Sequence, residues 1–189
     1  MQIEITIQDD IYELLQAETD NLQSDRAIVG EDQGVQYSPI DTATWEKWFD
    51  RWLEELAPDL PNALAYELSL RITNDAHIQA LNAQYRHQDK PTDVLAFAAL
   101  ETDFPQPPEL LESLALYLGD IVISVDTAQR QAKQQQHSLS TELAWLATHG
   151  LLHLLGWDHP DSDSLQQMLD RQTALLKSVG IDISIAIDS

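Results

Sequence analysis

The alternation of apolar and polar residues along the chain predicts both strands and helices. Residues 2–7 alternate isoleucine with polar side chains, and residues 66–73 alternate in the same way, which is the period of a half-buried strand. Residues 92–99 and 118–125 are short apolar runs that predict two further strands. Between residues 43 and 56, tryptophan, phenylalanine and leucine recur at helical spacing and predict a helix that faces the core.

Four more segments have helical character, and an alternating tail follows them. Asp75 and Ser140 are of the residue types that cap helices, and Gly180 is typical of a helix end. Residues 181–188 alternate again, which leaves open an edge strand or a free end. The four helices are predicted over residues 75–85, 126–136, 141–155 and 162–180. Four strands and about five helices predict an α+β fold, a small mixed four-stranded sheet packed against the helices.

Length and composition predict one domain spanning residues 1–189. Residues 20–41 are polar and contain two glycines and a proline, so we expect a long loop or insertion there. The chain has no cysteine, which excludes disulfides and thiolate zinc ligands. We find neither a signal peptide nor an apolar run long enough to span a membrane, and we predict a cytoplasmic protein.

Half of the six histidines lie between positions 149 and 159. His149 and His153 are four residues apart, so they lie on one face of a helix. Gly156 predicts the end of that helix, after which the chain can turn and bring His159 back. Three imidazoles that converge favour a zinc-class metal, with a fourth position open for water as in catalytic sites. The alternative is three unrelated histidines, two of them packed in a core helix, but the ligand spacing disfavours it.

Gly150 separates this motif from the metalloproteases that it partly matches. In the pattern H-E-x-x-H-x-x-G-x-x-H, the glutamate after the first histidine is the general base. Gly150 cannot transfer a proton, so the peptidase hypothesis loses its base, and we identify no general base elsewhere in the chain. Glycine costs about 1 kcal/mol inside a helix. We therefore expect that a side chain at this position would block a ligand or a neighbouring strand.

Three charged residues have two interpretations each. Arg86 offers a planar fork for phosphate oxygens, or it is a surface arginine paired with Asp89 or Asp93. Asp120 begins a buried apolar run and is either a partner of a metal ligand or a turn residue. Asp158 has the same two interpretations, because it directly precedes a histidine of the metal motif.

Three stretches of the chain, residues 85–98, 118–121 and 149–159, together resemble the YbeY family. Members of this family are metal-dependent endoribonucleases of bacterial ribosomal RNA maturation. Residues 149–159 match the family motif H-G-x-x-H-x-x-G-x-D-H. The family's Tyr-Arg pair and its Leu-Gly-Asp-Ile run are matched at 85–86 and 118–121. Residues 92–98 match its Thr-Asp-Val-Leu-Ser-Phe-Pro run, except that alanines replace the serine and the proline. The resemblance covers roughly residues 67–180.

This resemblance implies a function that spacing alone does not establish. It implies that His149, His153 and His159 bind one zinc ion and that Arg86 acts in RNA processing from within the cleft. It also implies single-stranded RNA as substrate, maturation of the 16S ribosomal RNA 3′ end, and ribosome quality control. The implied partners are the ribosomal RNA precursor and the ribosome or ribosomal proteins.

The net charge of −22 is unusual for an RNA enzyme, because phosphate contacts usually require a basic surface. A positive cleft formed by the metal and Arg86 would answer this, as would a basic partner that delivers the RNA. A non-catalytic, metal-stabilised ribosome-assembly factor is the alternative. It requires a closed metal site, with Asp158 or Asp120 as the fourth ligand.

Overall fold

One mixed sheet joins the strands that the structure describes. The computed structural model describes residues 2–11, 40–57, 60, 63–99 and 115–183. The strands are β1 (Gln2–Asp9), β2 (Ala65–Thr73), β3 (Val94–Ala98) and β4 (Ala115–Ser124), in the order β1-β2-β4-β3. β1, β2 and β4 are parallel to one another, whereas β3 pairs with β4 in the antiparallel sense. β3 is therefore an edge strand of this sheet.

Five helices within the described ranges pack against the sheet and against one another. They are α1 (Thr42–Leu56), α2 (Asp75–Arg86), α3 (Val125–Gln135), α4 (Leu139–Leu154) and α5 (Ser162–Ser178). The predicted α+β fold with a mixed four-stranded sheet is confirmed. The predicted loop at 20–41 lies outside the described residues, apart from its last two. Of the alternating tail, residues 181–183 contain no strand and the rest also lies outside the described ranges.

Two predicted helix caps are wrong. α2 is capped by Asn74, whose side chain accepts a backbone N–H of the first turn, and Asp75 is already helical. α4 is capped by Ser138 rather than Ser140. Leu139 packs against the core, so the first turn of α4 includes it and the cap moves two residues towards the N-terminus.

The aromatic stripe of α1 forms one side of the core. Trp45, Phe49 and Trp52 are buried, which confirms the predicted core-facing helix. The indole N–H of Trp52 donates to the backbone oxygen of Leu175 over 3.0 Å. This bond ties α1 to α5, so the large apolar rings pack without leaving a buried polar group unpaired.

α4 crosses the interior and contacts β3, β4, α3 and α5. Leu143, Ala147 and Leu151 are buried, as expected for a helix that is apolar on nearly all sides. Despite this apolar composition, no helix in the described part of the chain is both long and apolar enough to cross a bilayer. α4 instead carries His149 and His153, which are half-buried, to the edge of the sheet.

Candidate metal centre

α4 and the turn after it bring three histidines together. The Nε2 atoms of His149 and His153 are 3.0 Å apart. Gly156 adopts a φ of +84°, a left-handed conformation that glycine takes without strain, and the chain reverses there. The ring of His159 consequently lies 5.6 Å from that of His149 and 5.4 Å from that of His153, between centroids. One potential ligand atom from each residue lies within 4.8 Å of the other two.

The geometry of this three-histidine group fits a tetrahedral metal with nitrogen ligands. Zinc–nitrogen distances of about 2.0–2.1 Å require ligand nitrogens about 3.3 Å apart. The Nε2 atoms of His149 and His153 are near that separation, and a ligand atom of His159 lies within 4.8 Å of both residues' ligand atoms. Within the described ranges, no aspartate or glutamate belongs to the group. The residues could hold a metal ion and leave one position open.

Burial keeps two of these histidines neutral. The pKa of His149 is lowered chiefly by desolvation, and the pKa of His153 is lowered for the same reason. The nearby ring of His159 lowers both further, because two imidazolium charges would repel each other. Neutral imidazoles have a free ring nitrogen at pH 7, which is the form that binds a metal.

Gln172 on α5 contacts the metal-ligand group, although it was not among the site residues predicted from the sequence. Its Oε1 lies 3.2 Å from Nδ1 of His149, and its Nε2 donates to the backbone oxygen of Trp145 over 3.2 Å. The side chain is completely buried. The available signal was its place in the buried helical series with Met168 and Leu175, where an apolar residue is the norm.

His149 and His153 line a cleft of about 710 Å³. Its walls are the edge strand β3, the last turn of α2, and the end of α4 with the turn that follows. Arg86 lines the cleft, and its Nη2 donates to the backbone oxygen of Ala96 on β3 over 3.1 Å. Among the described residues that line the cleft, it is the only lysine or arginine. The described walls of the cleft therefore place one fixed cation beside the histidines.

The interpretation of Arg86 as a paired surface arginine is wrong. Asp89 accepts a hydrogen bond from Gln79, and Asp93 accepts one from Gln131. Among the ion pairs of the described ranges, none includes Arg86. Although the residue is exposed, its guanidinium is held by a neutral backbone oxygen rather than by a carboxylate.

Asp158 and Asp120 occupy different surroundings. Asp158 is exposed and lines the cleft, where its Oδ1 accepts the backbone N–H of His159 over 2.8 Å. This bond holds the backbone of His159, the last histidine of the metal motif. Asp120 is neither a partner of a metal ligand nor a turn residue. It lies within β4, where its Oδ1 accepts hydrogen bonds from the Tyr117 hydroxyl at 2.7 Å and from Ser69.

Side-chain alternation places Asp120 on the face of the sheet that α4 does not cover, since the next residue, Ile121, contacts α4. A cleft of about 460 Å³ lies on the Asp120 face, and polar residues of β1 and β2 line it. Asp120 is thus separated from the three histidines by the sheet itself.

Comparisons with known proteins cover this whole region. A family model described as Endoribonuclease YbeY matches residues 32–180. A protein of Trichormus variabilis named Endoribonuclease YbeY is 66% identical over 148 residues, which are 78% of this chain and 84% of that protein. A protein of Nostoc sp. with the same name is 55% identical over 185 residues, 98% of this chain and 94% of its own.

A solved structure has a similar fold. The solution structure of TM1509 from Thermotoga maritima matches with a TM-score of 0.51 and 21% identity, over 94% of this chain and 89% of its own. The three histidines, Arg86, the five helices and the strands other than β1 all lie within residues 32–180, which the family model matches.

Proposed function

Because the chain belongs to the YbeY family of endoribonucleases, we propose that it is a zinc-dependent, single-strand-specific endoribonuclease that matures ribosomal RNA. Membership confirms the resemblance predicted from the histidine motif, and with it the predicted class, a hydrolytic endoribonuclease. The finer proposal is that one domain spanning residues 1–189 acts on the 16S ribosomal RNA 3′ end and in ribosome quality control, in the cytoplasm.

One observation carries the metal-dependent part of this proposal. Three histidine ligand atoms lie within 4.8 Å of one another beside a cleft of about 710 Å³ that also contains Arg86. In this proposal His149, His153 and His159 hold the ion. When bound, zinc supplies Lewis acidity and lowers the pKa of a coordinated water to about 7.

Arg86 binds the phosphate of the RNA. A guanidinium has five N–H donors, and the bond to Ala96 uses one of them. The remaining donors are available to two phosphate oxygens in the bidentate geometry that arginine prefers. Because negative charge gathers on these oxygens as the phosphodiester reacts, Arg86 stabilises the transition state more than the ground state.

The acidic surface supports a ribosomal partner. With ten basic and thirty-two acidic residues, most of the protein repels RNA. Arg86 and a bound metal ion make the cleft the local exception. A basic ribosomal protein or a ribosomal particle that holds the precursor RNA would bring the strand to this cleft against the general repulsion.

Two rival functions account for fewer of the observations. A metallopeptidase would require a general base where Gly150 stands. A ribosome-assembly factor with a structural metal would require a fourth protein ligand. Asp120 lies on the other face of the sheet, and within the described ranges no carboxylate, that of Asp158 included, joins the group of three histidines. Both arrangements favour an open fourth position and therefore an enzyme.

The test is cleavage of a labelled RNA by the zinc-loaded protein. We expect internal cuts in an unstructured RNA, far slower cutting of the same RNA annealed to its complement, and none by His153→Ala. Products ending in a 2′,3′-cyclic phosphate would identify the ribose 2′-hydroxyl as the nucleophile, whereas a 5′-phosphate on one product and a 3′-hydroxyl on the other would identify water. If the zinc-loaded protein binds ribosomal particles yet leaves both free and ribosome-bound RNA intact, the assembly factor is the correct function.

A further inference from the structure

Gln172 is a polar side chain in an otherwise apolar position. It is completely buried, and its neighbours in the α5 series, Met168 and Leu175, are core residues. Burying an amide is unfavourable unless its donors and acceptor find partners. Both partners of Gln172 belong to α4, so the side chain joins α5 to the helix that carries two of the histidines.

The partners of Gln172 determine how its amide and the His149 ring are oriented. The backbone oxygen of Trp145 can only accept a hydrogen bond, so the amide nitrogen of Gln172 must face it. The amide oxygen must then face Nδ1 of His149, which is 3.2 Å away. An oxygen acceptor requires a proton on that nitrogen. His149 therefore carries its proton on Nδ1, and its Nε2 presents a lone pair to His153 and His159.

We propose that Gln172 is a positioning residue that fixes the tautomer and the ring orientation of His149 for metal binding. The role rests on the metal centre in the proposed function. The backbone oxygen of Trp145, which accepts the Gln172 amide, also accepts the hydroxyl of Thr148, a fully buried residue, over 2.8 Å. The acceptor that orients Gln172 is therefore itself held in place. Hydrogen-bond partners of this kind orient metal-binding histidines and increase their basicity.

The Gln172 amide is uncharged, which affects the electrostatics of the metal site. A carboxylate in the place of Gln172 would also accept the Nδ1 proton, but it would add a negative charge behind the metal site. The chain already carries a net charge of −22. An amide orients His149 and leaves the positive charge of the metal undiminished towards an RNA phosphate.

The test compares two substitutions that differ in one property. Gln172→Met fills similar volume without an acceptor, whereas Gln172→Glu keeps an acceptor facing His149. In the zinc-free proteins, long-range ¹H–¹⁵N NMR of the imidazoles reports the tautomer, and competition with a chromophoric chelator gives the zinc Kd. We expect the Met variant to lose the single tautomer of His149 and to bind zinc about 10–100-fold more weakly. The Glu variant should keep the single tautomer of His149 and should not bind zinc more weakly, because its carboxyl still accepts the Nδ1 proton.

A control on the same helix separates positioning from packing. Thr173→Val removes the hydroxyl bond to Leu169, also on α5, and does not touch His149, so zinc affinity should not change. If the wild type binds zinc and the Met variant has the same tautomer and the same Kd, the role of Gln172 is disproved. If the wild type itself binds no zinc, the metal centre fails, and this role fails with it.

A second observation concerns an exposed aromatic pair beside the cleft. Tyr85, in the last turn of α2, is 55% exposed, and its ring packs edge-on against Phe97 with centroids 5.2 Å apart. Both residues line the cleft that adjoins the histidines and also the one on the opposite face of the sheet. The pair thus forms a ridge between two concave surfaces, directly beside Arg86.

We infer that the Tyr85 ring, supported by Phe97, stacks on an unpaired base of the RNA. This inference rests on the proposed function and adds where the RNA strand would bind. A nucleotide whose phosphate binds Arg86 has its base within reach of the adjacent Tyr85. Proteins that bind single strands stack bases on aromatic rings in this way, and a paired base offers no free face. This contact would explain a preference for single strands.

The test asks whether removing the Tyr85 ring weakens RNA binding only when the RNA carries a base. It measures binding and does not require cleavage. Binding of a short fluorescent RNA is measured by anisotropy without metal, for an intact oligonucleotide and for one with abasic positions. We expect Tyr85→Leu to weaken binding of the intact RNA about 10-fold, as stacking is worth about 1–3 kcal/mol per base. It should not affect the abasic RNA. Tyr85→Phe should bind like the wild type, and so should Tyr117→Leu, which changes a 40%-exposed tyrosine that lines neither cleft.

Equal affinity of Tyr85→Leu and the wild type for the intact RNA would disprove the stacking site. Loss of affinity for both RNAs alike would also disprove it, because the ring would then act without a base. Since these experiments contain no zinc, their outcome does not depend on whether the protein cleaves RNA.

Discussion

Gly150 lies against Ile121 so closely that a β-carbon on the glycine would come within 2.8 Å of Cγ2 of the isoleucine. Glycine at this position therefore allows α4 to approach β4 as it does. The helix carries His149 on one side of this contact and His153 one turn later. This contact determines how closely α4 approaches the sheet, and therefore where both imidazole rings lie relative to the cleft.

Gly150→Ala should therefore destabilise the protein. Alanine favours the helix by about 1 kcal/mol, but overpacking against a strand costs about 1–3 kcal/mol. We expect a net loss of about 1 kcal/mol in the free energy of unfolding, measured in urea. In an Ile121→Ala background the clash is absent, so the same substitution should be neutral or stabilising. An equal loss in both backgrounds would contradict the close contact as the cause.

His153→Ala should abolish metal binding and the stability that metal confers. A ligand that binds only the folded state at 100 times its Kd stabilises by about 2.7 kcal/mol. We expect the Tm of the wild type to rise with added zinc and to fall with a chelator, and the Tm of the variant to respond to neither. Metal content by mass spectrometry should fall from about one ion per chain to none.

The matched control for that substitution is His87→Asn. His87 is exposed and adopts a left-handed conformation at the end of α2, which asparagine tolerates. This variant should retain the metal. Zinc that stays bound to His153→Ala with unchanged affinity would remove that residue from the ligand set.

Arg86→Gln should reduce RNA cleavage about 100-fold while fold and metal content stay unchanged, because a donor for the developing charge is lost. Arg51→Gln is the matched control. It removes the same charge from an exposed arginine of α1 that pairs with Glu54 and Glu55. If both variants lost activity equally, overall charge rather than the position of Arg86 would be responsible.

Asp75→Asn should make stability less dependent on pH. Burial, the largest influence, raises the pKa of this carboxyl, but hydrogen bonds from Ser124, Thr127 and Arg130 together hold the pKa below its usual value. A lowered folded-state pKa contributes stability above the unfolded pKa of about 3.9, and the contribution is lost as the pH falls through the folded pKa.

We therefore expect the Asn variant to lose about 2 kcal/mol in the free energy of unfolding at pH 7. The difference from the wild type should shrink below about pH 4. Urea unfolding at several pH values measures it. Asp89→Asn, which changes an exposed carboxyl on the loop after α2, should lose little at any pH. A constant deficit for Asp75→Asn down to pH 3 would show that the negative charge of Asp75 is not what stabilises the fold.

Local patterns in the sequence were sufficient to predict the strands, the helices and the metal-binding motif. Hydrophobic periodicity is a local property, so it located the strands and helices to within a few residues. The i, i+4 spacing of His149 and His153 with a glycine after the helix is also local, since helix geometry alone brings these rings together. The family resemblance rested on the same contiguous residues.

Contacts between side chains far apart in the chain became visible only in the tertiary structure. Gln172 reaches His149 because α5 packs on α4, and no local period encodes that contact. The sheet separates Asp120 from the histidines, a consequence of the order β1-β2-β4-β3 and of which face each residue of β4 occupies. Arg86 donates to a backbone oxygen of β3, at the edge of the sheet, instead of forming an ion pair with a nearby aspartate. Such contacts depend on packing between segments far apart in the chain, which a pattern along the sequence does not specify.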